Sequence, residues 1–303
     1  MKNHLSKKNK IGIIVVHYGN PQDTIELLGS LSKINIFNGI LYLVDNDPKN
    51  RLRKIPQYNF KINYIKSKKN LGWAGGADFA ARKAYSQGCD TLCFLTCDTV
   101  INDKFFLDKM TKPLGDTKIG ATIPLVVFHN NPNRIWSAGG KLYKLIAYTK
   151  HYDYNRFVTI KNLNKYPDFG GIGLTMRSDV YKKIGGWDPN YFLYYEDVDI
   201  CFKILKRKLK IKLVSQAIVE HKATTPSRGI EMKLSPFSSF HYGRSAFIFI
   251  KKNLTGFGVL TAIFGQIFIR APLFMIAMMR QNNFKALKSY VHGSLSGVKE
   301  VLF

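Results

Sequence analysis

The chain has 303 residues, of which 46% are hydrophobic and 13% aromatic. That apolar content suffices for one large core or two smaller ones, which excludes disordered and fibrous classes of protein. Lys and Arg number 46 against 20 Asp and Glu, a formal net charge of +26 spread over the whole length. A surface of that sign favours nucleic acid, an acidic membrane or phosphorylated ligands, and charge alone does not choose among them.

Two features of the sequence indicate a cytosolic location. The basic N-terminus is followed by an apolar run, 11–16, that is shorter than the apolar region of a signal peptide, so we interpret it as a first strand. The four cysteines include no pair with CxxC spacing, and three of them lie in one strand-like stretch. We therefore expect reduced thiols that act as small hydrophobic residues.

Short runs rich in β-branched and apolar residues alternate with segments of helical periodicity. This alternation predicts an α/β fold in which crossover helices join the strands of a parallel sheet. A longer stretch, 129–168, is rich in Asn, Tyr and Lys and is predicted to be irregular. The predicted strands are 11–16, 39–44, 62–65, 91–96 and 120–127, and the predicted helices include 21–33 and 76–87.

Polar residues and glycines follow the predicted strands directly, where ligands bind in sheets of this kind. Turn or helix-cap chemistry is an equally good explanation for any one of them. Their convergence on one edge of the sheet favours a ligand site. In chain order they are Tyr18 and Asn20, then Asp45, then Asn70 with Gly72, Gly75 and Gly76, and finally Asp98.

An acidic cluster follows five mostly aromatic residues, 191–195, and opens a helical pattern. Acids in the first turn of a helix are favoured by its dipole, which is the simpler explanation. Glu196 and Asp197 are nevertheless unusual in an acid-poor chain. Apolar surroundings raise the pKa of a carboxyl group toward neutral pH, so the cluster is also typical of a general base in a sugar-handling enzyme.

A histidine, His221, ends another strand-like segment, 210–221. Taken alone, such a residue is more often structural than a ligand. Together with Asp98 it would complete a site for a hard divalent cation that carries a diphosphate, because phosphate and water supply the remaining ligands.

Three motifs together resemble the inverting GT-A glycosyltransferases of family 2, in the bacterial rhamnosyltransferase-like and galactofuranosyltransferase-like branch. They are NLGWAGGAD (70–78), GGWDPNYFLYYEDVDIC (185–201) and ALKSYVHGSLSGV (286–298), and the resemblance covers nearly the whole chain. It implies a GT-A fold, a Rossmann-like and mostly parallel sheet flanked by helices, with a C-terminal helical extension. The expected division is a catalytic domain over 1–225 and a basic amphipathic helical region over 226–303.

The resemblance also implies a role for each site residue. Asp197 would be the catalytic base with Glu196 beside it, and Asp98 and His221 would bind Mg²⁺ or Mn²⁺. Residues 96–98 read Thr-Cys-Asp, so the metal-binding DxD motif keeps only its last carboxylate. Trp187 and Asp188 would bind the acceptor. The donor would be bound by Tyr18, Asn20, Asp45, Asn70, Gly72, Gly75, Gly76, Asp78 and Gly171.

The implied reaction is a single displacement at the anomeric carbon of a nucleotide sugar. Deoxythymidine-diphosphate rhamnose is the first expected donor and a uridine-diphosphate sugar the next. The implied acceptor is a hydroxyl group of a lipid-linked cell-surface glycan.

The C-terminal region is strongly basic, and its apolar stretch 254–279 is flanked by Lys251, Lys252 and Arg280. Gln266 and Arg270 interrupt the stretch, which disfavours a membrane-spanning helix. We expect helices that lie on the inner face of the cell membrane, held by anionic lipid. Packing against the catalytic domain or a second subunit is the alternative. The expected apolar face consists of Leu260, Ile263, Phe264, Ile267, Phe274 and Met278.

Other functions fit the sequence less well. A nucleic-acid-binding protein would place basic residues among exposed aromatics, whereas the main aromatic cluster here lies beside acids, so we expect no nucleic-acid partner. A dinucleotide-dependent oxidoreductase lacks its GxGxxG motif after the first strand. A non-catalytic module that binds glycan or lipid stays open.

Overall fold

The structure, a computed structural model, describes residues 10–34, 39–159, 163–223 and 234–302. The predicted boundary between 225 and 226 lies outside the described residues. The strands are β1 (Ile11–His17), β2 (Gly39–Asp45), β3 (Lys61–Lys66), β4 (Thr91–Thr96), β5 (Thr99–Val100), β6 (Ile119–Phe128), β7 (Asn131–Ser137), β8 (Gly140–Tyr143), β9 (Tyr148–His151), β10 (Thr175–Arg177) and β11 (Lys210–His221).

Nine helices accompany these strands in the described part of the chain. A π-helical turn, Gln266–Arg270, joins the seventh to the eighth. The helices are α1 (Pro21–Leu31), α2 (Gly72–Ser86), α3 (Phe106–Thr111), α4 (Ser178–Ile184), α5 (Glu196–Lys206), α6 (Pro236–Asn253), α7 (Phe257–Gly265), α8 (Ala271–Arg280) and α9 (Phe284–Leu302).

One large sheet forms the centre of the molecule, with strand order β3-β2-β1-β4-β10-β6-β11-β5 and β7 paired to β6. The pairs β3–β2, β2–β1, β1–β4 and β6–β11 are parallel, while β10 runs antiparallel between β4 and β6. The parallel strands β1, β2 and β4 therefore end at the same edge. The predicted α/β sheet with flanking helices is confirmed.

Alternating side chains of the central strands supply two hydrophobic cores, one on each face of the sheet. On β1, Ile14 and Val16 belong to one core, and Ile13 and Val15 belong to the other. Helix α2 covers the first face with a run of buried alanines, whose small side chains let the helix lie close to the strands. This close packing fixes the start of α2 relative to the sheet edge.

The prediction that 129–168 is irregular is wrong. This stretch contains β7, which extends the main sheet, and the hairpin β8–β9, which forms a separate two-stranded sheet. β8 and β9 have only four residues each, and all three strands are partly exposed, so polar side chains occupy many of their positions. A strand of that kind lacks the apolar run that identifies a buried strand in sequence.

The C-terminal helices are packed onto the rest of the chain. Helix α6 contributes Ala246–Ile250 to the first core, and α9 packs along α6 at very short range. Gly293 makes that approach possible, because a Cβ atom there would overlap the carbonyl oxygen of Phe240. The same holds for Gly297, where an added Cβ atom would lie 2.8 Å from the carbonyl oxygen of Arg244.

The expected apolar face of α7 and α8 is partly wrong. Phe274 and Met278, assigned to it, are buried against Ala286 and Tyr290 of α9. Within the described residues, the segment Phe257–Arg280 is the one helix whose length and composition would suffice to cross a membrane.

Candidate active site

The carboxyl end of β2 holds the first polar group of the site. Asp45 is fully buried, and its carboxylate accepts hydrogen bonds from the Tyr64 hydroxyl and the Lys66 ammonium, each at 2.7 Å. Both donors come from β3, where Lys66 is in register with Asp45. The Asp45 carboxylate is therefore engaged with a partly exposed lysine at the sheet edge, and it is not open to the donor that it was predicted to bind.

Two side-chain amides hold the glycine-rich loop before α2. The Asn70 side-chain oxygen accepts from the backbone N–H of Gly72 at 2.9 Å and from the Asn46 amide at 3.0 Å. Asn46 also donates to the Gly72 carbonyl at 2.8 Å and accepts from the N–H of Leu71 at 3.0 Å. Asn46 was missed in the sequence analysis, although its place directly after Asp45 at a strand end was the available signal.

Gly72 joins this loop to the segment that precedes the acidic cluster. Its φ is +69°, and a Cβ atom there would lie 2.5 Å from the carbonyl oxygen of Phe192. The next residue, Trp73, donates its N–H to the same oxygen at 3.2 Å. Two motifs more than a hundred positions apart thus meet at one backbone contact. Gly76 packs against the side chain of Val16 of β1, so it holds the start of α2 against the sheet.

The acidic pair opens α5 behind an unusual backbone turn. Tyr194 and Tyr195 both have left-handed φ values, +65° and +66°, at a cost of about 1–2 kcal/mol per residue for non-glycine residues. Such strain concentrates at functional sites. The turn brings Asp197 against Gly171, whose Cβ atom would lie 3.0 Å from that of Asp197.

The surroundings of Glu196 and Asp197 favour the neutral form of both carboxyl groups, which raises their pKa values. Burial raises the pKa of Asp197. Burial also raises the pKa of Glu196, and the charge of Asp197 raises it further. The Glu196 Oε2 atom has no hydrogen-bond partner among the described residues. Of the two carboxyl groups, Glu196 is therefore the harder to ionise, and Asp197 is the one that loses its proton first.

A carboxylate and an imidazole meet at the ends of β4 and β11. Asp98 Oδ2 lies 3.0 Å from His221 Nε2, and the edge of Trp136 holds the imidazole ring. Burial raises the pKa of Asp98, but the hydrogen bond and charge of His221 outweigh it and hold the pKa below its usual value.

This pair fits a divalent cation that takes most of its ligands from elsewhere. Two neighbouring ligands of an octahedral ion at about 2.1 Å lie about 3 Å apart, which is the observed separation of Asp98 and His221. No group of three or more His, Cys, Asp or Glu side chains within the described ranges is arranged to hold a metal. A bound ion would therefore depend on phosphate and water for its other ligands.

The structure gives several other predicted site residues internal partners. Asn20 caps α1 by accepting from the N–H of Gln22 at 3.2 Å. Asp78 pairs with Arg82 and accepts from the Tyr181 hydroxyl at 2.7 Å, which ties α2 to α4. Gly75 packs on Leu71. By contrast, Tyr18 is 53% exposed at the end of β1.

The two predicted acceptor residues are also engaged within the protein. Trp187 is only 1% exposed and packs edge-on against Trp73 and Phe94, so it is a core residue with no ring face open to an acceptor. Asp188 forms an ion pair with Lys252 of α6. It therefore ties the C-terminal helices to the catalytic part of the chain.

Solved structures with the same fold are glycosyltransferases, which confirms the GT-A fold. The mannosyltransferase PcManGT from Pyrobaculum calidifontis, in complex with GDP-Man and Mn²⁺, aligns over 97% of this chain and 88% of its own, with TM-score 0.56 and 12% identity. S. aureus TarS 1-349 aligns over 96% and 83%, with TM-score 0.53 and 15% identity. GalNAc-T7 with UDP, GalNAc and Mn²⁺ aligns over 80% and 51%, with TM-score 0.57 and 15% identity.

The sequence assigns the chain to one family within that fold. Residues 9–234 match the profile of the glycosyltransferase like family 2, and the chain belongs to this family. A curated relative, the low-salt glycan biosynthesis hexosyltransferase Agl10 of Haloferax volcanii, is 22% identical over 204 residues. That match spans 66% of this chain and 63% of the relative. The resemblance to family 2 is thereby confirmed at the level of the family.

Proposed function

We propose that the protein is an inverting glycosyltransferase that moves a sugar from a nucleoside-diphosphate donor to a hydroxyl group of an acceptor. The observation that carries the proposal is the Glu196–Asp197 pair, which is partly buried, follows a strained turn and is joined through Phe192 to the glycine-rich loop. This arrangement places a carboxylate of raised pKa next to the loop assigned to the donor. The family and the shared fold support the same activity.

Asp197 is the group that accepts the proton from the acceptor hydroxyl. As that oxygen forms its bond to the anomeric carbon, the bond from this carbon to the diphosphate oxygen breaks and the nucleoside diphosphate leaves. One displacement inverts the configuration at the anomeric carbon. Glu196 stays protonated because the negative charge of Asp197 opposes its ionisation.

Asp98 and His221 would hold Mg²⁺ or Mn²⁺ on the departing diphosphate. When bound, the ion supplies positive charge that stabilises the leaving group. Two of the solved relatives contain Mn²⁺ with a nucleotide or nucleotide sugar, which supports this choice of ion. Lys66 lies at the same edge of the sheet, where the Asp45 carboxylate balances its charge.

The donor and acceptor follow from the branch that the motifs resemble. A deoxythymidine-diphosphate sugar, with rhamnose first, or a uridine-diphosphate sugar is the proposed donor. The proposed acceptor is a lipid-linked cell-surface glycan, with the enzyme peripheral on the cytoplasmic face of the membrane. The name of the curated relative, a hexosyltransferase of glycan biosynthesis, supports a glycan product.

A panel of nucleotide sugars tests this proposal, with Mg²⁺, with Mn²⁺ and with a chelator. We expect one donor to release its nucleoside diphosphate, to require the ion, and to give a product whose anomeric configuration by NMR is opposite to that of the donor. A product with retained configuration would contradict the single displacement. Binding of donors without any release would instead favour a non-catalytic glycan-binding module.

A further inference from the structure

The C-terminal helices present a continuous apolar surface to the outside of the molecule. Helices α7 and α8 and the π-helical turn between them carry large apolar side chains that are more than half exposed. We call this surface the outer apolar face. Six of its members are Phe257, Leu260, Phe264, Phe268, Leu273 and Met279. Contiguous exposed apolar surface of this kind is typical of a binding interface.

Two polar residues in the middle of the same segment point inward. Gln266 is 1% exposed and donates to the carbonyls of Ile146 and Ala147 at 2.8 and 2.9 Å. Arg270 is 3% exposed, donates to the Gln266 side chain at 2.7 Å and lies 3.8 Å from the centre of the Tyr242 ring. A helix that faces water has the opposite arrangement, with its polar residues outside. The outer apolar face is therefore suited to an apolar surrounding.

Positively charged side chains surround the outer apolar face, and they favour an anionic partner. Lys251 precedes the segment, and Arg280, Lys285 and Lys288 end or follow it; all four are exposed, and none forms an ion pair with a described residue. Glu300 is the one acid in 234–302, and it is paired with Arg244. Two copies docked face to face would bring like charges together, whereas anionic lipid headgroups would neutralise them.

The contacts of the segment also decide how it would meet a bilayer. Its midpoint is bonded through Gln266 to the connection between β8 and β9, and Gly265 packs directly on Ile146. If the helix crossed the bilayer, this connection, whose residues 143–145 are exposed, would enter the hydrocarbon, where lipid-exposed irregular backbone is not tolerated. A helix lying in the plane of the interface avoids that cost.

We propose that the outer apolar face is inserted in the headgroup and acyl boundary of an anionic bilayer, with the helix axis in the membrane plane. The segment is also connected to the acidic pair. The Tyr195 hydroxyl donates to the same Ala147 carbonyl that Gln266 binds, and Tyr195 directly precedes Glu196. One shared carbonyl thus connects the inserted segment to the residue that precedes the acidic pair.

Vesicle flotation of the full chain tests this proposal. The vesicles are phosphatidylcholine with and without phosphatidylglycerol. The test variant is Phe264→Glu with Phe268→Glu, and the matched control is Phe79→Glu with Phe105→Glu, which replaces two comparably exposed phenylalanines on α2 and just before α3. We expect wild type and control to float with anionic vesicles, and the test variant to lose at least about tenfold in partitioning. High salt should weaken the binding of wild type.

Two results would overturn the proposal. One is flotation of the test variant equal to that of the control, with circular dichroism showing all proteins folded. The other is a wild type that does not float but forms a stable dimer by light scattering that the test variant lacks, which would make a second copy the occupant. Asp197→Asn should float like wild type, so failure of this proposal and failure of the catalytic one are distinguishable.

Discussion

Gly72→Ala tests the contact that joins the donor loop to the acidic pair. The added Cβ atom would lie 2.5 Å from the Phe192 carbonyl oxygen, and the backbone would keep a φ of +69°. The conformation alone costs about 1 kcal/mol for alanine. Separating the two segments to relieve the overlap costs more, so we expect the free energy of unfolding to fall by about 2–4 kcal/mol.

Two other glycines separate these contributions. Gly88 has a φ of +82° but open space around its Cβ position, so Gly88→Ala reports the conformational cost alone, about 1 kcal/mol. Gly29 lies in α1 with open space and no left-handed φ, so Gly29→Ala should be neutral or stabilising by up to about 1 kcal/mol. Urea unfolding of the three variants measures all three values.

Activity gives a second measure of the same contact. Displacement of the loop from the acidic pair should lower kcat/KM by about tenfold to a hundredfold in Gly72→Ala, with Gly88→Ala close to wild type. If Gly72→Ala and Gly88→Ala unfold at equal denaturant concentration and are equally active, the close contact with Phe192 has no role in either stability or catalysis.

Further predictions concern the ionisable groups and the amide network. Asp98→Asn should raise the Mn²⁺ concentration needed for half-maximal transfer by at least about tenfold, measured by metal titration. The acidic limb of the kcat–pH profile should lie above about pH 4, the ordinary range of Asp, because Asp197 ionises only above its raised pKa. The pKa of Glu196 is higher in the folded protein than in the unfolded chain, so the folded protein binds more protons and its stability falls as pH rises between these two pKa values. Glu196→Gln removes this group, so the variant should have a higher Tm than wild type at about pH 8 and nearly the same Tm at about pH 4. Asn46→Ala should raise the donor KM, measured beside kcat, since it frees the loop at Leu71 and Gly72.

The sequence predicted well those elements whose residues are all buried. Ile13, Val15, Ile14 and Val16 are all buried, on two faces of one strand, so the run is apolar without interruption. The strands within 129–168 were missed because only one side of each is covered, and exposed polar residues break the pattern. β8 and β9 have four residues each, which leaves too few positions for the alternation of apolar and polar residues that identifies a half-covered strand.

Site residues could be predicted where they also stand out in the local sequence pattern. Asp197 and Asp98 stood out as acids at the ends of predicted elements. Asp78 and Trp187 stood in the same motifs, but their partners Tyr181 and Phe94 come from elements distant in sequence. Whether a motif residue faces a ligand or the core depends on that packing. The inward position of Arg270 is hidden from sequence for the same reason.

The most direct test of the account is sugar transfer by Asp197→Asn compared with Glu196→Gln. We predict that Asp197→Asn loses at least about a hundredfold in kcat while binding the nucleotide-sugar donor with unchanged affinity by calorimetry. Glu196→Gln, which replaces a protonated carboxyl by a neutral amide, should keep far more activity. A fully active Asp197→Asn variant, or an equal loss in both variants, would contradict the assignment of Asp197 as the base.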